Sequence, residues 1–230
     1  MKRRLPGSAF AAMLMLATPA LVARDTASPG WPDTPLARTQ VLALLQTLNA
    51  DLLSHDSATL TLERWCDTHR MASPARVVAE RVHGADQPLP PDLRAQLGAA
   101  VGDPVRYRHV RLSCGGHVLS EADNWYLPAR LTAAMNQQLD HSDVPFGKVV
   151  QPLHFRRRTL SAQLLWSPLP TGWEMYPRSA ASTAGRLVMP QRLLQHRAVL
   201  VDGDNRPFSA LVETYTRQLL DFPAPGSKRR

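Results

Sequence analysis

Val105-Arg106-Tyr107-Arg108-His109-Val110-Arg111-Leu112-Ser113-Cys114-Gly115-Gly116 is the stretch that decides the fold. Val110, Leu112 and Cys114 alternate with polar residues, the period of a strand with one buried face. Gly115-Gly116 is a tight-turn signal, and a second strand continues through Trp125, Tyr126 and Leu127. Toward the C terminus, residues 132–139 read as a short helix, Val144-Pro145-Phe146-Gly147 as a turn and residues 155–166 as a long strand. Residues 167–190, rich in Pro, Gly and Ser, read as a long loop or flap. Residues 193–201 and 208–220 are two more strands, joined across Asp202-Gly203-Asp204-Asn205. Toward the N terminus, Thr34-Pro35 suits a helix start, and Val41, Leu44, Leu45, Leu48 and Leu52 recur at helical spacing. Asp56-Ser57 caps a second helix carrying Leu62, Trp65 and Cys66. Residues 85–104 read as a connecting loop with one helical turn. Helices followed by hairpin-joined strands predict an α+β domain with helices packed on an antiparallel sheet.

The first 23 residues read as a signal peptide. Lys2, Arg3 and Arg4 precede an apolar run from Ala9 to Val22, and Ala20 to Ala23 offers small residues for cleavage. That run is shorter than the roughly 20 apolar residues a membrane span takes. The alternatives are an uncleaved anchor, or a misassigned start ahead of a cytoplasmic protein. Residues 24–33 read as a linker, 34–222 as one domain and 223–230 as a disordered basic tail. The expected location is the periplasm, with no membrane span after cleavage and a monomer favoured.

The net charge of +8 is misleading as a nucleic-acid signal. Six positive charges lie in Lys2, Arg3, Arg4, Lys228, Arg229 and Arg230, which leaves the remaining chain within two charges of neutral. Arg156-Arg157-Arg158 is the one internal run, with Phe155 alone beside it. A basic groove with interleaved aromatics is not present, so no nucleic-acid partner is expected. Cys66 and Cys114 either pair, as an exported chain allows, or remain two buried thiols. The scattered histidines give no metal-ligand spacing.

Parity singles out two charged residues. Arg108 shares the apolar face of Val110, Leu112 and Cys114, while His109 and Arg111 point outward. A buried guanidinium must meet an anion, from the protein or from a ligand. Arg106 shares that face but sits nearer the strand start, where it reaches water. Glu213 has the parity of Leu211, Tyr215 and Leu219. A carboxyl there can accept from a substrate hydroxyl or move a proton, or it can simply pair with an internal Arg. Ser54-His55-Asp56 has the residue types of a triad, but consecutive residues do not converge like one.

Several segments together resemble the chorismate lyase family (chorismate pyruvate-lyase, 4-hydroxybenzoate synthase). They are Arg106 to Leu112 before the Gly-Gly turn, Asn124-Trp125-Tyr126-Leu127-Pro128, Val144-Pro145-Phe146-Gly147-Lys148, and Pro207-Phe208 through Val212-Glu213-Thr214. A fainter likeness is Asp56-Ser57-Ala58-Thr59 with Glu63. The resemblance implies a buried ligand site closed by helical flaps, in which Arg108 holds a ring carboxylate aided by the backbone amides of Phe146 and Ala58. Glu213 would meet the ring hydroxyl. The implied reaction is elimination of pyruvate from chorismate to give 4-hydroxybenzoate, a step of ubiquinone biosynthesis, driven by aromatisation without metal or redox cofactor. A second cation, Arg157 or Arg197, would hold the side-chain carboxylate. Two departures stand out: Ala58 replaces a bulky Met, and Asn124 stands where some members carry an internal Arg able to pair with the Glu. An exported lyase would rarely meet cytoplasmic chorismate, so the alternative is an exported non-catalytic binding protein for a small aromatic carboxylate. A third reading is a protein-interaction domain with a vestigial pocket.

Overall fold

Alternation holds along the strand that opens the hairpin, β2 (Arg106–Cys114). Arg108, Val110, Leu112 and Cys114 are buried, while the residues between them are half-exposed. The computed structural model describes residues 30–84, 86–175 and 185–225. The expected signal peptide, residues 24–29 of the linker, residues 176–184 of the flap and residues 226–230 of the tail lie outside the described residues.

β2 turns through Gly115 and Gly116, both at positive φ, into β3 (His117–Tyr126). A Cβ on Gly115 would fall 2.4 Å from Ala72 Cβ, so the turn needs glycine there for space as well as for conformation. β4 (Arg156–Leu164), β5 (Arg192–Val201) and β6 (Pro207–Thr216) complete the C-terminal half of the sheet. A further strand, β1 (Val77–Arg81), pairs with β2 at the opposite edge. The sheet runs β1-β2-β3-β6-β5-β4, antiparallel throughout. The predicted α+β class is what the chain forms. β1 is absent from the sequence reading because five residues with only Val77 and Ala79 buried give almost no periodic signal.

Helices cover both faces. On one, α1 (Pro35–Ser54) and α2 (Ala58–Thr68) bury Val41, Leu45, Leu48, Leu52 and Leu62 against Val110, Leu112 and Tyr215. Thr34 and Ser57 cap them, accepting from Ala37 N and Leu60 N. On the same face, α4 (Ala133–His141) and α5 (Phe146–Val149) pack Met135, Leu139 and Val149 on Tyr126, Ala198 and Leu211. The turn expected at residues 144–147 therefore becomes the start of α5. On the other face lies α3 (Pro91–Leu97), within the stretch read as a loop. It opens on a proline pair and closes on Gly98 at φ 62°, and Leu93 and Leu97 meet Trp125, Val199 and Ala210.

Two long-range ties fix this assembly. A Cys66–Cys114 disulfide joins α2 to β2, with Cα atoms 6.5 Å apart, which resolves the alternative left open by the sequence. Trp31, read as part of a linker, is buried instead: its Nε1 donates to Leu220 O at 3.0 Å and its ring meets Phe222 edge-on. Gly30 to Asp33 belong to the domain, and Phe222 is the last large side chain of the same core.

Candidate ligand site

Between the two groups of inner-face helices the sheet is left uncovered, and a cavity forms. Its floor is Val110 and Leu112 of β2, Ala122 and Asn124 of β3, Leu211 and Glu213 of β6 and Leu200 of β5. Its lips are Asp56 to Thr59 at the start of α2, Phe146 and Gly147 of α5, and Phe155. The space is about 50 Å³, room for a few water molecules, so a ring-sized ligand must part the lips. Gly147 brings the lips close: a Cβ there would stand 3.5 Å from Ser57 Oγ and 3.6 Å from Thr59 Oγ1.

Glu213 lies in the floor as parity predicts and is 6% exposed. Its Oε2 accepts from Arg157 Nη2 at 2.6 Å and from Tyr215 Oη at 3.1 Å. Oε1 makes no hydrogen bond among the described residues and is not shut away from the cavity. It is therefore the acceptor available to a guest. Burial drives the Tyr215 hydroxyl well above its ordinary pKa, and the Glu213 carboxylate adds to this. Tyr215 is a donor at any physiological pH.

Arg157 is the partner that sequence reasoning left undecided. It reaches in from edge strand β4 with its side chain 3% exposed, and its backbone N–H donates to Asp56 Oδ1 at 2.7 Å. Burial pulls the guanidinium's pKa down, but Glu213, Tyr215 and Asp56 together outweigh it and the net shift is upward. Arg197 takes no part. It points to the opposite face and binds Asp92 of α3 at 2.6 Å. Asn124 accepts from Ser209 Oγ at 2.5 Å, so the cation for Glu213 comes from β4 rather than from β3.

Arg108 occupies the inner face two residues before Val110 along β2, opposite Asn124 of β3. It is 3% exposed, and its Nε and Nη1 are buried without hydrogen-bond partners. Burial lowers the pKa of the guanidinium, and the nearby Arg81 cation lowers it further, although Tyr126, Asp140 and Asp143 pull the other way. Arg106 turns outward, as expected, and pairs with Asp140 at 2.7 Å.

Of the four residues singled out by the sequence, Ala58, Phe146 and Glu213 thus line one cavity. Arg108 does not touch that space. Its register partner Asn124 lines the cavity, while Arg108 itself lines a separate cleft beside Arg81 and His83. Ordinary sheet spacings put Arg108 and Glu213 about 12 Å apart at Cα, two strands over and two residues along. Arg157 was hidden inside a three-arginine run whose inward member cannot be told from the sequence. Two further residues went unread: His196, paired in register with Glu213, and Asn49 of α1, which touches it at 2.8 Å.

The uncharacterized protein y4mC of Sinorhizobium fredii is 54% identical over 207 residues, covering 89% of this chain and 87% of that protein. The chain belongs to the y4mC family. No family model matches it. Among solved structures it is similar to PhnF from Mycobacterium smegmatis, with 14% identity over 86% of this chain and 94% of that one at a TM-score of 0.46. It is also similar to a GntR-family transcriptional regulator from Enterococcus faecalis, with 11% identity over 65% and 99% at a TM-score of 0.39. The site described above is therefore that of a y4mC-family protein, and its chemistry has to be read from the residues themselves.

Proposed function

We propose that this y4mC-family protein binds a small ring carboxylate in the inner-face cavity, in the manner implied by its chorismate-lyase-like segments. The observation that carries the reading is the pairing of an unpartnered buried guanidinium with a buried carboxylate on one sheet face. Arg108 lacks an anion and Glu213 keeps Oε1 open. A buried cation without a partner is costly to maintain, and a ligand carboxylate removes that cost. The lips contribute the amides of Ala58 and Phe146, and Val110, Ala122 and Leu211 supply apolar contact for a ring. A hydroxyl across the ring from the carboxylate donates to Glu213 Oε1.

Catalysis is the finer part of the proposal. With chorismate as guest, Arg108 holds the ring carboxylate, Arg157 lies nearest for the side-chain carboxylate, and Glu213 accepts from the 4-hydroxyl. The bond between the ring carbon and the ether oxygen breaks, the ring loses its C4 proton and becomes 4-hydroxybenzoate, and the expelled enolpyruvate takes up a proton at its methylene carbon to leave as pyruvate. The protein's work is positioning and charge compensation. Export to an oxidising compartment is proposed with it, and the disulfide is in keeping with that.

The test is to mix the purified protein with chorismate and follow pyruvate and 4-hydroxybenzoate. Release abolished by Arg108→Ala establishes a lyase. No release, with 4-hydroxybenzoate raising the melting temperature, establishes a binding protein. Neither response overturns the ligand reading and leaves an interaction domain with a vestigial pocket.

A further inference from the structure

His196 is fully buried on the inner face beside the cavity, in register with Glu213, and nothing in the proposed chemistry uses it. Its surroundings fix its state. Asn49 Nδ2 donates to Gln46 Oε1 at 3.4 Å, so the Asn49 oxygen faces His196 Nε2 at 2.8 Å. An oxygen acceptor at Nε2 requires a proton there, and in the neutral ring this leaves Nδ1 as a bare acceptor. Nδ1 is buried and has no hydrogen-bond partner. The neighbouring Arg157 has the complementary defect: its Nε is a buried donor without a partner. The charged and titratable groups that face His196 are Glu213 and Tyr215 of β6 and Arg157 of β4. From α1 the neutral Asn49 meets it.

We infer that His196 is a positioning residue: held by Asn49, it offers Nδ1 to the Arg157 guanidinium through one bridging water, and so sets where Arg157 holds Glu213. The inference rests on the ligand reading for its functional consequence, but the arrangement itself stands on the contacts above. Two buried polar atoms without partners, one an acceptor and one a donor, lie near enough for the Arg157 charge to act on the imidazole, and a bridging water satisfies both. The relay runs Asn49, His196, Arg157, Glu213. Its effect falls on the hydroxyl end of the guest and leaves the carboxylate end at Arg108 alone. Burial and the Arg157 cation push the imidazole down to about 4, so the relay is intact at neutral pH.

Two measurements test it on the full chain. Imidazole ¹⁵N chemical shifts at neutral pH are expected to show His196 neutral, protonated at Nε2 and bare at Nδ1. An Nδ1-protonated or charged ring overturns the inference whether or not any ligand binds. The second measurement compares affinity for 4-hydroxybenzoate and benzoate in wild type, His196→Leu, His196→Asn and Asn49→Ala. Loss of the relay removes discrimination in favour of the hydroxylated acid by on the order of tenfold, the equivalent of one hydrogen bond to a charged group. Benzoate affinity is unchanged. His196→Asn, whose side-chain oxygen falls near the position of Nδ1, restores part of the discrimination, and Asn49→Ala reports on the relay if His196→Leu fails to fold. Unaltered discrimination in both His196→Leu and Asn49→Ala overturns it. If wild type binds neither acid, the ligand reading fails while the tautomer result still judges the relay.

Discussion

Arg157 Nη2 and Glu213 Oε2 meet at 2.6 Å with both side chains almost completely buried, one from an edge strand and the other from the middle of the sheet. Removing one partner of such a pair leaves an uncompensated buried charge. Arg157→Leu is expected to destabilise the protein by about 3–5 kcal/mol. The double variant Arg157→Leu/Glu213→Leu recovers most of that, because the second change removes the stranded charge. Urea denaturation of the three proteins measures both outcomes.

Arg108 presents the opposite case. Its guanidinium is buried without a hydrogen-bonded anion, so in the empty protein it costs stability. Arg108→Leu is expected to raise the stability of the ligand-free chain by about 1–3 kcal/mol while abolishing carboxylate binding. Thermal melts with and without 4-hydroxybenzoate separate the effects: the variant melts higher alone and no longer responds to the acid.

Acid weakens the fold through His196. Its pKa is lowered from 6.5 to about 4 in the folded chain, by burial and then by Arg157. A group that must stay neutral to be buried contributes stability above its unfolded pKa. The contribution fades as pH falls from 6.5 through about 4, because the unfolded chain takes up the proton first. His69, also lowered by burial, acts in the same direction. Denaturant midpoints across this window fall with pH in wild type, and they fall less in His196→Gln.

The Cys66–Cys114 bond closes a loop of 48 residues. The chain-entropy model gives it about 4 kcal/mol. Because it ties α2 to β2, reduction loosens the lip formed by Asp56 to Thr59 together with the core. Denaturation in the presence and absence of a reductant, with Cys66→Ala/Cys114→Ala as control, measures the loss.

What was legible in the sequence follows from local regularity. β2 alternates strictly, so counting by twos placed Arg108 on the inner face, whereas β6 is buried on both faces from Phe208 to Leu211 and alternates only from Val212 to Tyr215, the short run that places Glu213. In β4 the register shifts between Thr159 and Ser161, most side chains are exposed, and Arg157 sits between two other arginines, so nothing local singles out the residue that reaches Glu213. α3 did carry a signal, a proline at the start and a glycine just past the end, but seven residues are too few to show a period. Trp31 is held by contacts with Leu220 and Phe222, nearly two hundred residues away, which no local pattern reveals. The relay through Asn49 and His196 joins α1 to β5 and is equally non-local.

The most direct test of the ligand site is a crystal structure of the protein with 4-hydroxybenzoate. The account predicts the ring over Val110, Ala122 and Leu211 with the lips parted, its carboxylate within hydrogen-bond distance of Arg108 Nε or Nη1, and its hydroxyl on Glu213 Oε1. Acid bound elsewhere, or a cavity left empty at saturating concentration with Arg108 turned to a protein carboxylate, would contradict it.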